Sequence, residues 1–249
     1  MLLTSNAVVL KRQKLQDHDV LVTLLTDKGG KLKAIAKGAK SGKSSLAAST
    51  QPFVFGEVVL SLERDWNKIR SIDVTDPYAK FHSDLTLMAY GSYMLELTNF
   101  LLEEGVVHHK AFVNLIDTLD MLCEEDAQYD LIKTVFEIKM MMYSGYQMTV
   151  NKCQQCGLEN HEYLWFSIEN GGIICDKCKD SMSDLWLLGK TLPKIMDYMQ
   201  QKNIRTVAKT KINLVYLEKL SQLMKRYMLI HTGFSSSKSL ELLESIRLL

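Results

Sequence analysis

Four cysteines stand in two pairs, Cys153-Gln-Gln-Cys156 and Cys175-Asp-Lys-Cys178, with eighteen residues between the pairs. Two intervening residues let both sulfurs of one knuckle face a single ion, and a second knuckle completes the tetrahedron. Gly157 follows the first pair, where the backbone has to turn. The run Tyr163-Leu-Trp-Phe-Ser-Ile-Glu-Asn-Gly171-Gly172-Ile-Ile174 reads as strand, turn and strand, which returns the chain to the second pair. Two reducible disulfides, a redox C-x-x-C or unliganded core thiols would use the same residues. The doubled spacing favours one structural Zn2+ on Cys153, Cys156, Cys175 and Cys178. Four thiolates leave no position for water or substrate, so such an ion staples a fold and does no chemistry.

No other constellation points to catalysis. His108 and His109 open a helix; His18, His82, His161 and His231 are scattered and form no zinc-enzyme pattern. Asp17 and Asp19, just before a strand, read as turn formers and not as an acid–base pair. Gly38-Ala-Lys-Ser-Gly-Lys-Ser-Ser-Leu46 resembles a phosphate-binding loop, but its glycines have three residues between them where four are needed. It is also read as preceding a proline-marked strand instead of a helix. A flexible Lys/Ser loop suits phosphates along a backbone better than a nucleotide triphosphate. The lone Cys123 reads as an ordinary buried thiol.

The charges are unevenly placed. Residues 1–80 carry 13 Lys/Arg against 8 Asp/Glu, and residues 81–249 carry 17 against 21, so the total of +1 conceals a basic N-terminal part. Lys28 to Gly56 holds six lysines and no acid. A run of that kind is commonly a solvated face, but the asymmetry suits a part that meets a polyanion.

The elements that must position these groups fall into two styles. Up to about Asp76 the apolar residues alternate or form short β-branched runs: Ala7–Leu10, Val20–Thr26, Lys31–Lys37, Phe53–Leu60 and Lys68–Val74, with Gly56 marking a bulge or bend. Five short strands suit a small closed barrel of the OB type. Beyond Pro77 the period becomes helical: Ser83–Glu104, Lys110–Cys123, Tyr129–Tyr143, Thr191–Gln201, Lys211–Ile230 and Lys238–Arg247. The expected fold class is α+β and multi-domain: an OB-type β-barrel at 1–77, then an all-α domain at 78–249 with the four-cysteine zinc module inserted at about 149–182. With 47% hydrophobic residues the core does not depend on zinc alone. No apolar run is long enough to span a membrane, the N-terminus lacks a charged signal-peptide head, and zinc-spaced cysteines fit a reducing compartment. A cytoplasmic, nucleoid-associated protein is expected.

The run from Ala7 through Asp17-His-Asp19 and Gly30-Lys-Leu, then Ala36-Lys-Gly-Ala-Lys40 and Leu46-Ala-Ala-Ser-Thr-Gln-Pro-Phe53, resembles the bacterial RecO family of DNA repair proteins. The resemblance extends over the whole chain, through the interposed cysteine pairs to the closing Lys238-Ser239-Leu240 helix. Asp17 stands where a glutamate is more usual, and the loop after Gly38 is less arginine-rich. The resemblance implies a non-enzymatic recombination mediator. Such a protein binds single- and double-stranded DNA, anneals complementary strands, and acts with RecR and the C-terminal tail of single-stranded DNA-binding protein to help load recombinase. It further implies that DNA lies along Lys11, Arg12, Lys28, Lys31, Lys33, Lys37, Lys40, Lys43, Lys68 and Arg70. Phe53, Trp66 and Tyr78 are candidate stacking surfaces, though each reads more readily as core. The competing reading is a zinc-stapled protein–protein adaptor whose basic barrel is not a DNA site. A metal-dependent nuclease is disfavoured by the closed ligand set.

Overall fold

The computed structural model describes residues 1–15, 18–41, 44–64, 66–159 and 164–246. It is mixed α+β, with five strands and one short helix before Pro77 and mostly helices after it. The first five strands are β1 (Leu2–Lys14), β2 (Val20–Thr26), β3 (Gly30–Ala36), β4 (Phe55–Ser61) and β5 (Asn67–Asp76). β1 pairs antiparallel with β2 and with β4, β2 with β3, and β4 with β5, while β3 and β5 meet in parallel. The strand order β1-β2-β3-β5-β4 therefore closes on itself. The closing contact is short, pairing only Ala34 with Asn67 and Ile35 with Lys68.

The alternation read from the sequence sets which residues face inward. Val9, Val20, Val22, Leu24, Ala34, Ala36, Val58, Leu60 and Ile69 line the apolar interior. β1 is longer than expected and shifts register between Val9 and Lys11, and β4 shifts against β5 between Phe55 and Gly56. At Gly56 a Cβ would lie 2.1 Å from the Asp73 carbonyl oxygen, so only glycine admits that bend. A short helix α1 (Ser45–Ser49), capped by Ser44, precedes β4. The proline-marked strand is therefore not what directly follows the Gly38 loop; a single turn of helix intervenes.

Two compact units result: Met1–Leu119 with Ser237–Leu249, and Asp120–Ser236. Pro77 marks the change from strand to helix, whereas the units divide within α4. In the first unit α2 (Lys80–Ser83), α3 (Leu85–Leu101, capped by Asp84), the start of α4 (His109–Leu122) and α9 (Lys238–Ile246) join the barrel. α3 packs on β1 and on α9, where Glu96 accepts a 2.5 Å hydrogen bond from the Ser239 hydroxyl. Phe53 stacks on Phe81 at 4.6 Å, and Tyr78 meets the same ring edge-on at 5.9 Å.

In the second unit α5 (Tyr129–Tyr143) is buried on every side from Leu131 to Met141, with α6 (Thr191–Gln201), α7 (Ile204–Val207) and α8 (Leu214–Thr232) around it. A helix apolar all round belongs in a core, yet this one carries a buried Lys133–Glu137 pair at 2.7 Å and Lys139 at 2% exposure. The Lys139 ammonium donates to the Gln200 carbonyl at 3.3 Å, and burial pulls its pKa down to about 8. A small three-stranded sheet completes the unit: β6 (Leu164–Ser167) lies between β7 (Gly172–Cys175) and β8 (Leu185–Leu187). Among the described residues no helix is long and apolar enough to cross a membrane.

Candidate metal centre and nucleic-acid interface

The metal centre is assembled from two knuckles on one sheet. After Cys153 the chain turns back, Gly157 at φ +71° donates its N–H to the Cys153 carbonyl at 2.8 Å, and Cys153 donates to Leu158 at 3.0 Å. Gln154 N–H bonds the Ile173 carbonyl at 2.8 Å, fastening this knuckle to β7, which delivers Cys175. Cys178 then folds back on Cys175 through a 3.0 Å backbone bond. The four sulfurs lie within 4.8 Å of one another. Tyr163, the expected start of the hairpin, lies outside the described residues, as does His161.

The donor set fits a tetrahedral soft-metal site. Zn–S bonds of about 2.3 Å place tetrahedral sulfurs about 3.8 Å apart, and Cys156 Sγ and Cys175 Sγ are 3.8 Å apart. A disulfide needs about 2.05 Å, and all four thiols are free. Burial raises the Cys153 pKa, but backbone N–H groups of Cys156, Cys175 and Gln155 outweigh it and bring the thiol down to about 6. Cys178 is pushed up to about 12, first by its hydrogen bond with Cys175 and also by the charge on Cys153. The cluster thus holds one thiolate readily and resists the next, which is the electrostatic situation that a bound cation relieves. Zn2+ there would supply four bonds and no open position.

The module is fastened to α8 by residues that the sequence did not single out. Tyr227 packs edge-on against Phe166 at 6.1 Å, and His231 Nε2 lies 2.7 Å from the Ile168 carbonyl. Arg226 pairs with Asp184 at 3.6 Å and lies 5.3 Å from the Trp186 ring. Their helical spacing at 227 and 231 was a signal, though an ambiguous one.

The barrel sorts its basic residues into groups. Register places Lys11 opposite Thr23 and Thr23 opposite Lys33, and it pairs Ile35 with both Leu21 and Lys68, all on the side of the sheet that faces away from the barrel interior. Lys11 and Lys33 are therefore about 10 Å apart across three strands. Lys33 is paired with Glu104 at 2.8 Å, and Lys31 donates to the Asn99 carbonyl of α3 at 2.6 Å. Lys68 and Arg70 both face Glu63, and Lys28 reaches the Thr4 carbonyl at 3.1 Å. Arg12 donates to the Ala39 carbonyl at 2.9 Å, the Lys40 amine bonds the Leu15 carbonyl, and Asp19 accepts from Gly38 N–H at 2.8 Å. These bonds shape the loop after β3. Asp19 is thus a turn former; Asp17 and Lys43 lie outside the described residues.

At that end of the barrel Lys14 lies opposite Val20, and Val20 opposite Ala36, on the face that turns into the barrel mouth, whereas Lys11, opposite Thr23, and Lys37, next to Ala36, are on the outward side. Lys11, Lys14 and Lys37 are exposed and have no side-chain partner among the described residues. Lys14 is an addition to the expected set; its place in the register was its signal. Phe53 and Tyr78 are buried, whereas Trp66 is 50% exposed and available for stacking. Cys123, expected as an ordinary buried thiol, is half-buried just past α4.

Comparison with known proteins assigns the whole chain. The family model for the Recombination protein O N terminal matches residues 1–78, and that for the Recombination protein O C terminal matches residues 82–241. A DNA repair protein RecO from Alkaliphilus metalliredigens is 30% identical over 99% of this chain and 100% of its own length. Another from Clostridium novyi is 35% identical over 70% of this chain and 68% of its own. A third, from Acetivibrio thermocellus, is 26% identical over 91% of this chain and 90% of its own. With both halves matched in order, the chain belongs to the RecO family of DNA repair and recombination proteins.

Proposed function

We propose that the chain is a non-enzymatic recombination mediator that binds single- and double-stranded DNA, anneals complementary strands and helps load recombinase, in the cytoplasm at the nucleoid. The closed five-stranded sheet is read as an OB-type barrel, with residues 1–77 as the DNA-binding domain. Residues 78–249 form the helical domain, which carries a module at about 149–182 stapled by one Zn2+. RecR and the C-terminal tail of single-stranded DNA-binding protein are its proposed partners, the helical domain being their platform.

The observation that carries the reading is that Lys11, Lys14 and Lys37, towards one end of the barrel, are exposed and have no side-chain partner among the described residues. Lys33, Lys68 and Arg70 also lie on the barrel, and Arg12 and Lys40 hold the loop after β3; Lys43 is included on the sequence alone. Exposed lysines of this kind neutralise phosphates without reading bases, so binding is salt-sensitive and sequence-blind. Annealing follows from the same physics. Lowering the charge of two strands reduces their repulsion, and their base edges stay free to pair. Trp66 offers an exposed ring for a base, a contact of about 1–3 kcal/mol.

The adaptor reading draws on one fact: Lys31 and Lys33 are engaged with Asn99 and Glu104 within the chain. The two separate in a single experiment with a labelled single-stranded oligonucleotide and its complement. Tight low-salt binding and faster annealing in the absence of nucleotide are expected of the mediator. Absence of binding at low salt, with partner proteins still captured, would leave the adaptor.

A further inference from the structure

The helical part is acidic as a whole, but one stretch of it is not. Residues 190–226 hold nine Lys/Arg (Lys190, Lys194, Lys202, Arg205, Lys209, Lys211, Lys219, Lys225 and Arg226) against Asp197 and Glu218. The remainder of 81–249 carries eight against nineteen. All nine cations are exposed. Four of them are engaged: Arg205 with Asp120, Arg226 with Asp184, and Lys190 and Lys225 in further interactions. Lys194, Lys202, Lys209, Lys211 and Lys219 have no side-chain partner among the described residues.

These five stand on consecutive elements that share a support. Lys194 is on α6, Lys202 caps its C-terminus, Lys209 and Lys211 lie between α7 and α8, and Lys219 is on the solvent side of α8. α6, α7 and α8 all pack on α5, so the lysines belong to one compact unit and not to a tail. Gln128 fixes the connecting loop by donating to the Ala208 and Thr210 carbonyls at 3.0 and 3.1 Å. The eleven residues of α6 alone extend about 16 Å. Lys194 and Lys202, eight residues apart, are separated by about 12 Å along the α6 axis, and free cations spaced in this way on a fixed support match a chain of phosphates better than a single anion.

We infer that the α6–α8 face of the helical unit is a second polyanion-binding surface, whose ligand is the phosphate backbone of a nucleic-acid strand. It rests on the reading of the chain as a DNA-binding protein and adds a site independent of the barrel. One protein molecule then has two separate places for backbone phosphates, which suits a protein that brings strands together. The acidic remainder of the helical part confines the strand to this face by repulsion elsewhere.

The test uses the full chain with Lys194→Gln, Lys202→Gln, Lys209→Gln, Lys211→Gln and Lys219→Gln combined, beside a second variant with Lys11→Gln, Lys14→Gln and Lys37→Gln. Binding of a single-stranded oligonucleotide is measured against salt, with unchanged thermal melting as the folding control. At about 0.7 in slope per neutralised phosphate, the five-lysine variant is expected to lose about 2–3.5 from the log–log salt slope. In the wild type the oligonucleotide should protect these five amines from acylation. An unchanged slope and no protection would overturn the inference; if the barrel variant alone is impaired, the proposed function stands without it. If neither variant binds less, the DNA-binding reading itself fails. If the five-lysine variant loses only binding to an acidic peptide and keeps its DNA binding, the surface serves a protein and the inference is again overturned.

Discussion

The barrel and the cysteine module solve the same problem with different means. The barrel closes its own hydrogen bonding and fills its interior with nine or more aliphatic side chains, so its fold follows from pairing and burial. The module has three strands of four, four and three residues. So small a sheet buries little by itself and relies on four thiols converging and on the Tyr227 and His231 contacts. With zinc bound as proposed, one region is conditional on a cation and the other is not. On the proposed reading function divides along the same line: the self-sufficient barrel presents charge to a ligand, and the module packs on α8.

The largest difference should appear on removal of the metal. Cys175→Ser, or a strong chelator, is expected to melt the module and loosen α8 while leaving barrel amides protected in hydrogen exchange. Structural zinc contributes about 10–16 kcal/mol in isolated finger peptides and less where a neighbouring helix already helps. A variant that folds normally and still holds one equivalent of zinc would show the four-thiolate site to be wrong. Leu24→Ala attacks the barrel interior instead and is expected to cost about 2–5 kcal/mol in denaturant unfolding, with metal content unchanged.

A smaller effect concerns the buried amine beside the module's supporting helices. The folded pKa of Lys139, about 8, lies below its unfolded value of 10.5. Between those values the unfolded chain binds more protons, so stability should rise with pH from about 8 to 10.5. Lys139→Met is expected to abolish that rise and to stabilise the protein at neutral pH by on the order of 2 kcal/mol. The smallest effect belongs to the barrel. Burial raises the Asp27 pKa, but the Ser5 hydroxyl, the Asn6 donors and Lys28 outweigh it, leaving it below 3.8. Its contribution is thus present above pH 3.8 and lost as pH falls through the lower folded value. Asp27→Asn should cost about 1 kcal/mol at neutral pH, and the gap from wild type should close in acid.

Much of this was legible in the residues. The strands β2, β3 and β5 and the helices α5, α6 and α9 follow from local periodicity, and Cys153, Cys156, Cys175 and Cys178 from spacing alone. Very short elements were not legible: α1, α7 and the three-residue β8 have too few residues to establish a period. Tertiary capture was equally hidden, since nothing near Lys31 or Lys33 announces Asn99 or Glu104 some seventy residues on. The basic block at 190–226 was concealed differently, because averaging charge over 81–249 cancels it against nineteen acids. Pro77 announced the change of secondary structure, but the division into units depends on contacts that only the folded chain makes.

The most direct test of the account is the salt dependence of single-stranded DNA binding by the wild type and by the Lys11→Gln, Lys14→Gln, Lys37→Gln variant. Three fewer phosphate contacts should make the log–log slope shallower by about 2 and weaken low-salt binding, with zinc content and melting unchanged. Identical slopes and affinities in the two proteins would contradict the assignment of the barrel's lysine end as a DNA site.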